Sequence, residues 1–248
     1  MTEKTNIGIY IFEGMTMLDS YGPLQFFAAV DDFYAFTFSK TSDLLNSDAG
    51  VQLKPNFGFN DCPKIDVLVV GGAKDVLPQL QDEKVLEFLQ KVAKEAKYVT
   101  SVCTGALILA QAGLLDGHEA ATHWASKELL ECYPNVTQVD KRVCISKKIA
   151  EDGVKEEIRI TGGGVTAGMD FALSVIEEVI SESSGDPEKG KFSAELTQLR
   201  LEYNPDPPFN SGSPDTAPPE AVETVEDNMK DINTAIREYI NCDEKGAR

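Results

Sequence analysis

Cys103 is the residue in this chain best placed to act as a nucleophile. It lies in Tyr98-Val99-Thr100-Ser101-Val102-Cys103-Thr104-Gly105-Ala106-Leu107-Ile108-Leu109-Ala110. A β-type apolar run ends at the thiol and a helix-type run of small residues begins after it. A strand that turns sharply into a helix holds its turn residue on a strained backbone, at the helix N-terminus. There the dipole and free N–H groups favour a thiolate, so the sequence predicts a depressed thiol pKa and ready oxidation to sulfinic acid. The ordinary alternative is a buried core cysteine, and the strand–Cys-Thr-Gly–helix context weighs against it.

Three further features end on comparable turns. Asp19, in Leu18-Asp19-Ser20-Tyr21-Gly22-Pro23, reads as a helix N-cap with Pro23 near the first turn. It also follows the first strand, so it emerges on the edge where Cys103 is expected. A carboxyl beside a thiolate has a raised pKa and suits proton donation near neutrality. Gly71-Gly72-Ala73 closes a strand; Gly72 and Ala73 read as a tight turn or as an anion-stabilising pair of N–H groups facing the nucleophile. Thr104 reads as a helix-start residue whose N–H and hydroxyl sit beside the thiolate. Gly162-Gly163-Gly164-Val165-Thr166-Ala167-Gly168 lacks the Gly-Lys-Ser/Thr of a phosphate loop and fits G-x-G-x-x-G/A only loosely, with no acidic residue about 20 positions on. Close packing around a small site is the better reading, with Gly163 and Gly164 lining it. His118 and His123, the two histidines, are spaced five apart and have no Cys-x-x-Cys nearby, so no metal site is expected. Trp124 reads as a core or pocket-wall aromatic.

The elements that must position these residues follow from periodicity. Strands are expected at 6–12, 33–39, 65–70, 98–102 and 157–161, with short strands in 136–148. Helices are expected at 18–30, 76–97, from 104 to about 113, at 122–132, 165–180, 186–203 and 220–241. Residues 47–61 are turn-rich, and the stretch after Asn204 is too proline-rich for helix or central strand. Strand, glycine turn and helix recur at least three times, the grammar of an α/β, mostly parallel sheet wrapped on both faces, with ligands at the carboxyl ends of its strands. Residues 1–185 form the expected domain. Residues 186–248 form a C-terminal extension of helix, Pro-rich segment and amphipathic helix, whose stripe is Val222, Val225, Met229, Ile232 and Ile236.

Composition narrows the partners. The chain has 248 residues and a net charge of −18, from 41 acidic and 23 basic residues. Such a surface repels phosphate backbones, so nucleic acid is not an expected partner. No apolar run approaches the ~20 residues of a membrane span, and Met1 to Asn6 show no signal-peptide pattern. Five widely spaced cysteines do not make a disulfide framework, which points to a reducing cytoplasm.

These residues together resemble the ThiJ/PfpI superfamily, and most closely its isocyanide hydratase branch. The resemblance is carried by the Asp19 segment, Val69-Val70-Gly71-Gly72, Thr100-Ser101-Val102-Cys103-Thr104-Gly105, Ala112-Gly113-Leu114-Leu115-Asp116-Gly117, Ala121-Thr122-His123-Trp124 and Thr161 to Asp170. The tail shares Gln198 to Tyr203, Pro207-Pro208-Phe209 and Gly212-Ser213-Pro214. The resemblance implies a flavodoxin-like three-layer sandwich with a cysteine elbow, usually a homodimer. It implies Cys103 as nucleophile, Asp19 as acid partner and Thr104 as the neighbour that orients the site. The protease-like branch has His directly after its nucleophile, where this chain has Thr104. AraC-type regulators of the same fold continue into a helix-turn-helix domain, for which only one helix-length tail remains here. The implied activity is hydration of an isocyanide to an N-substituted formamide, without metal or organic cofactor. The alternatives are a glyoxalase-like or amidase-like thiol enzyme, and a non-enzymatic redox sensor.

Overall fold

The computed structural model describes residues 4–149, 153 and 156–242. Met1 to Glu3 lie outside these residues, so the N-terminal reading is described only from Lys4 onward. The chain runs β1 (Thr5–Tyr10), α1 (Met17–Phe27), β2 (Phe33–Ser39), a small hairpin β3 (Leu45–Asn46) and β4 (Gln52–Leu53), β5 (Phe57–Gly58) and β6 (Val67–Val70). It continues through α2 (Leu77–Leu80), α3 (Glu83–Glu95), β7 (Tyr98–Val102), α4 (Gly105–Gln111), β8 (Glu119–Ala120), a 3-10 turn at Trp124–Ser126, α5 (Lys127–Leu130) and β9 (Thr137–Gln138). It ends with β10 (Val143–Ile149), β11 (Glu156–Gly162), α6 (Ala167–Ser184), α7 (Pro187–Arg200) and α8 (Pro219–Tyr239).

Seven strands form one sheet in the order β10-β11-β7-β6-β1-β2-β5. All its pairs are parallel except β10 with β11, which closes one edge antiparallel. This is the mostly parallel α/β sandwich expected. Its central strands are buried on both faces, which is why β6 reads Val-Leu-Val-Val without alternation. Register aligns the carboxyl ends: Tyr10 pairs with Val70, Val70 with Ser101, and Val102 with Gly162. The segments after β1, β6, β7 and β11 therefore open on one edge, bringing Asp19 in the first turn of α1 together with Gly72, Cys103 and Gly163.

Several helices differ from expectation for local reasons. The helix expected over 76–97 divides into α2 and α3, because the Asp82 side chain accepts the Lys84 N–H and starts a new helix. The helix expected over 122–132 shortens to the 3-10 turn and α5, with His123 Nδ1 accepting the Ala125 N–H. Helix α6 runs one turn further than expected and stops where Gly185 turns left-handed, at φ 67°. Within the turn-rich stretch, two residues at Phe57–Gly58 pair with β2 and extend the sheet, too short a segment to show periodicity.

The extension packs on its own chain. Helix α7 lies against α6, and the Tyr203 hydroxyl donates to Asp170 Oδ1 at 2.9 Å. Helix α8 docks by its C-terminal half. Ile236 is buried, Asn233 Nδ2 donates to the Ala125 carbonyl at 2.7 Å, and Arg237 pairs with Glu128. Val225 is exposed, so the expected stripe is seated only toward its end. A disulfide joins Cys132 to Cys242, with Cα atoms 5.4 Å apart. This corrects the reading of the cysteines as unpaired. It also removes cysteine usage as an argument for a reducing compartment. Among the described residues, no helix is long and apolar enough to cross a membrane.

Candidate active site

Cys103 sits on a sharp elbow with φ 59°, in the left-handed region that a side chain disfavours. Three bonds hold it there. Its N–H is shared between the carbonyls of Gly162 (3.1 Å) and Gly163 (2.9 Å), and Thr122 Oγ1 donates to its carbonyl at 2.9 Å. The elbow also requires Gly105, where an added Cβ would lie 2.2 Å from the Val70 carbonyl oxygen. Helix α4 can start only because nothing projects from that position.

Asp19 is fully buried beside the elbow. It is not the N-cap expected: α1 begins at Met17, with Thr16 as its cap, and Asp19 lies in the first turn. The Thr16 N–H donates to the Gly72 carbonyl and the Gly72 N–H donates back to Asp19 Oδ2, both at 2.9 Å. The Gly71-Gly72 turn and the start of α1 are thereby laced together. Gly72 must be glycine, since a Cβ would lie 2.4 Å from Thr104 Oγ1 and 3.0 Å from Asp19 Oδ2. The second carboxyl oxygen, Oδ1, is buried with no hydrogen bond of ordinary geometry. The neighbouring proton donor is the Cys103 thiol, which is close enough to stabilise the carboxylate.

Burial pushes the Asp19 carboxyl up to about 7; the Gly72 N–H and the Cys103 thiol oppose the rise, and Asp48 adds to it. The direction is the one expected, but its main cause is desolvation rather than a neighbouring thiolate. The Cys103 expectation is overturned. Burial, and then the Asp19 charge, raise its pKa well above the ordinary thiol value, and the Thr104 and Val165 N–H groups only partly offset this. Helix α4 has seven residues and its N-terminus is buried, so the stabilisation it gives a thiolate is smaller than the cost of removing the thiol from water. Cys103 and Asp19 thus form a coupled pair that resists carrying two negative charges.

The turn residues take roles different from those expected. Thr104 Oγ1 donates to the Ala73 carbonyl at 2.7 Å and accepts the Ala73 N–H at 3.0 Å. With the Gly72 N–H held by Asp19, neither Gly72 nor Ala73 has a free N–H for developing charge. They serve as struts between the two halves of the site. Gly163 donates its N–H to the Arg142 carbonyl and gives its own carbonyl to Cys103. Gly164 lets the His123 ring approach, since a Cβ would stand 2.5 Å from its Cδ2. The N–H groups that favour a charged sulfur are those of Thr104 and Val165. Val165 was not singled out from sequence; its position directly after three glycines was the available signal.

The histidines bond elsewhere than to Cys103 or Asp19: His118 Nδ1 meets Ser146 Oγ, and His123 Nδ1 accepts the Ala125 N–H while its ring packs on Gly164. His118 is buried near Glu157, Arg159 and Lys148; burial and the two cations hold its pKa down at about 4. His123 is lowered by burial. Among the described residues, no group of three or more His, Cys, Asp or Glu side chains could hold a metal ion.

The sequence profile of the DJ-1/PfpI family matches residues 5–178. The isonitrile hydratase of Pseudomonas putida is 42% identical over 217 residues, covering 88% of this chain and 86% of that protein. The crystal structure of a ThiJ/PfpI family protein from Pseudomonas syringae is similar, with a TM-score of 0.83 at 33% identity, covering 96% of this chain and 90% of that one. Drosophila melanogaster DJ-1beta shares the fold, with a TM-score of 0.62 at 18% identity; it covers 80% of this chain and 98% of its own.

Proposed function

The chain belongs to the DJ-1/PfpI family, and from that premise we propose that it is an isocyanide hydratase, converting R–NC and water to R–NH–CHO. Residues 1–185 carry the chemistry, and residues 186–248 are an extension of that unit. The observation that carries this reading is the pairing of a buried carboxyl, Asp19, with a buried thiol, Cys103, close enough to share one proton at the elbow.

The terminal carbon of an isocyanide needs both a nucleophile and a proton on the same atom. A pair that holds one proton between sulfur and carboxylate supplies both. In the reactive form Asp19 takes the thiol proton as the sulfur attacks the carbon, and then delivers that proton to it. The product is the thioimidate R–N=CH–S–Cys103. Water adds to the same carbon, with Asp19 as base, to give R–NH–CH(OH)–S–Cys103. The C–S bond breaks, the formamide leaves, and the sulfur recovers its proton. The Thr104 and Val165 N–H groups favour the sulfur as its negative charge develops. Thr104 fixes the Gly72-Ala73 strut against the elbow. No step calls for a cofactor.

We infer that the protein acts on a small molecule as a homodimer. An apolar stripe on α7, of Phe192, Leu196 and Leu199, is exposed on the single chain and supports a subunit contact. Light scattering on the purified protein measures that state. The activity is tested by following p-nitrophenyl isocyanide by absorbance and the formamide by mass. Cys103→Ala should abolish turnover, and a parental rate in that variant would refute the mechanism.

A further inference from the structure

A cavity of about 350 Å3 opens beside the elbow. Its lining includes Thr122 and Gly163, which hydrogen-bond the Cys103 backbone. Its apolar lining includes Trp124, Val139 and Ala167 of the α/β body and Pro214 of the extension. A second groove, of about 460 Å3, lies under α8. Trp124, Lys127 and Pro214 line both spaces. A dry cavity of about 150 Å3 holds a benzene molecule, so the space beside the elbow admits a substituted ring.

The charges at this cavity are already compensated. Lys127 pairs with Asp140 at 3.3 Å, Lys141 with Glu119 at 3.2 Å, and Arg142 with Asp170. Asp215 adds a further carboxylate to the lining. Among the described residues that line it, each lysine and arginine already has a carboxylate partner.

We infer that Trp124 and Pro214 form the seat for the isocyanide R group, and that this seat selects uncharged, ring-bearing isocyanides over small or anionic ones. The inference rests on the isocyanide reading and gives the C-terminal extension a part in substrate choice. The Pro-rich segment is then a wall of the substrate site as well as a connection to α8.

The test measures kcat and KM for methyl isocyanide, p-nitrophenyl isocyanide, isocyanoacetate and its methyl ester. It uses the full chain, Trp124→Ala and Gly212→Phe, with thermal melts as a check on folding. Trp124→Ala should raise KM for the aryl substrate about tenfold or more with kcat nearly unchanged, the mark of lost ground-state binding. Methyl isocyanide, which does not reach the seat, should be little affected. Gly212 lines the cavity, and a Cβ there meets no atom within 4 Å. Gly212→Phe should therefore narrow the cavity and raise the aryl KM selectively. The ester should be turned over about tenfold more efficiently than isocyanoacetate. Aryl kinetics unchanged in both variants, equal losses for methyl and aryl substrates, or a preference for isocyanoacetate would overturn the assignment while leaving the hydratase reading intact. A parent protein inactive on all four substrates would overturn both.

Discussion

Asp19→Asn keeps the shape of the side chain and removes its proton equilibrium. An amide oxygen can still accept the Gly72 N–H that now binds Oδ2. The carboxyl is fully buried, and its pKa lies at about 7 against an ordinary 3.8. That gap is roughly three pH units at about 1.36 kcal/mol each, so ionising Asp19 costs the folded state about 4 kcal/mol. The sign follows from which state holds the proton. Below pH 3.8 both folded and unfolded chains are protonated, and the Asp19 ionisation adds no pH dependence to stability. Between about 4 and 7 the unfolded chain ionises while the folded one does not, so stability falls as pH rises. Above 7 both are ionised and the loss is complete. The asparagine variant lacks this slope. Urea unfolding of parent and variant from pH 4 to 8 should therefore show Asp19→Asn gaining relative stability, by about 4 kcal/mol at the alkaline end, while hydration activity disappears. Even half that difference is measurable. A difference between the two proteins that stays flat across the range would refute the assignment of a raised, buried carboxyl.

Because the reactive pair holds one proton, kcat/KM should rise with pH through an apparent pKa near 7; an activity that falls through that range would mean Asp19 must start protonated. Gly105→Ala forces a Cβ to within 2.2 Å of the Val70 carbonyl. It should cost about 2 kcal/mol or more and displace the elbow, read as lost turnover together with a lower Tm. Cys132→Ser opens a bridge spanning 110 residues and should lower the unfolding free energy by about 2–4 kcal/mol. Equal urea midpoints under oxidising conditions would show that the bridge does not form in solution.

The elbow was legible because its signal is local: an apolar strand, a cysteine, then small residues beginning a helix. The carboxyl ends of the strands could be read the same way, and with them the edge on which Asp19 and Cys103 meet. What the sequence hid was long-range competition for donors. The Gly72 and Ala73 N–H groups looked available in a tight turn. In the fold, Asp19 captures one across 53 positions and Thr104 the other across 31. The thiol pKa departs from expectation for a related reason, since a helix terminus is visible in sequence whereas the burial of Cys103 is created by the packing of several segments. Asp19 lies on the expected edge but is not a cap, because α1 starts two residues earlier, at Met17, and Thr16 takes the cap position. Cys132 and Cys242 carry no local sign of pairing, and an odd cysteine count argued against it.

The Cys132–Cys242 bridge closes a covalent ring that contains β9, β10, β11, α6, α7 and α8 and leaves Cys103 and Asp19 outside it. A protease that cuts once within the exposed Pro-rich segment opens the ring without dividing the molecule. The nicked protein would migrate as two fragments on a gel only after reduction. The wall carrying Pro214 can therefore be severed while α8 remains tethered to the body, which separates breakage of the main chain from loss of its C-terminal part.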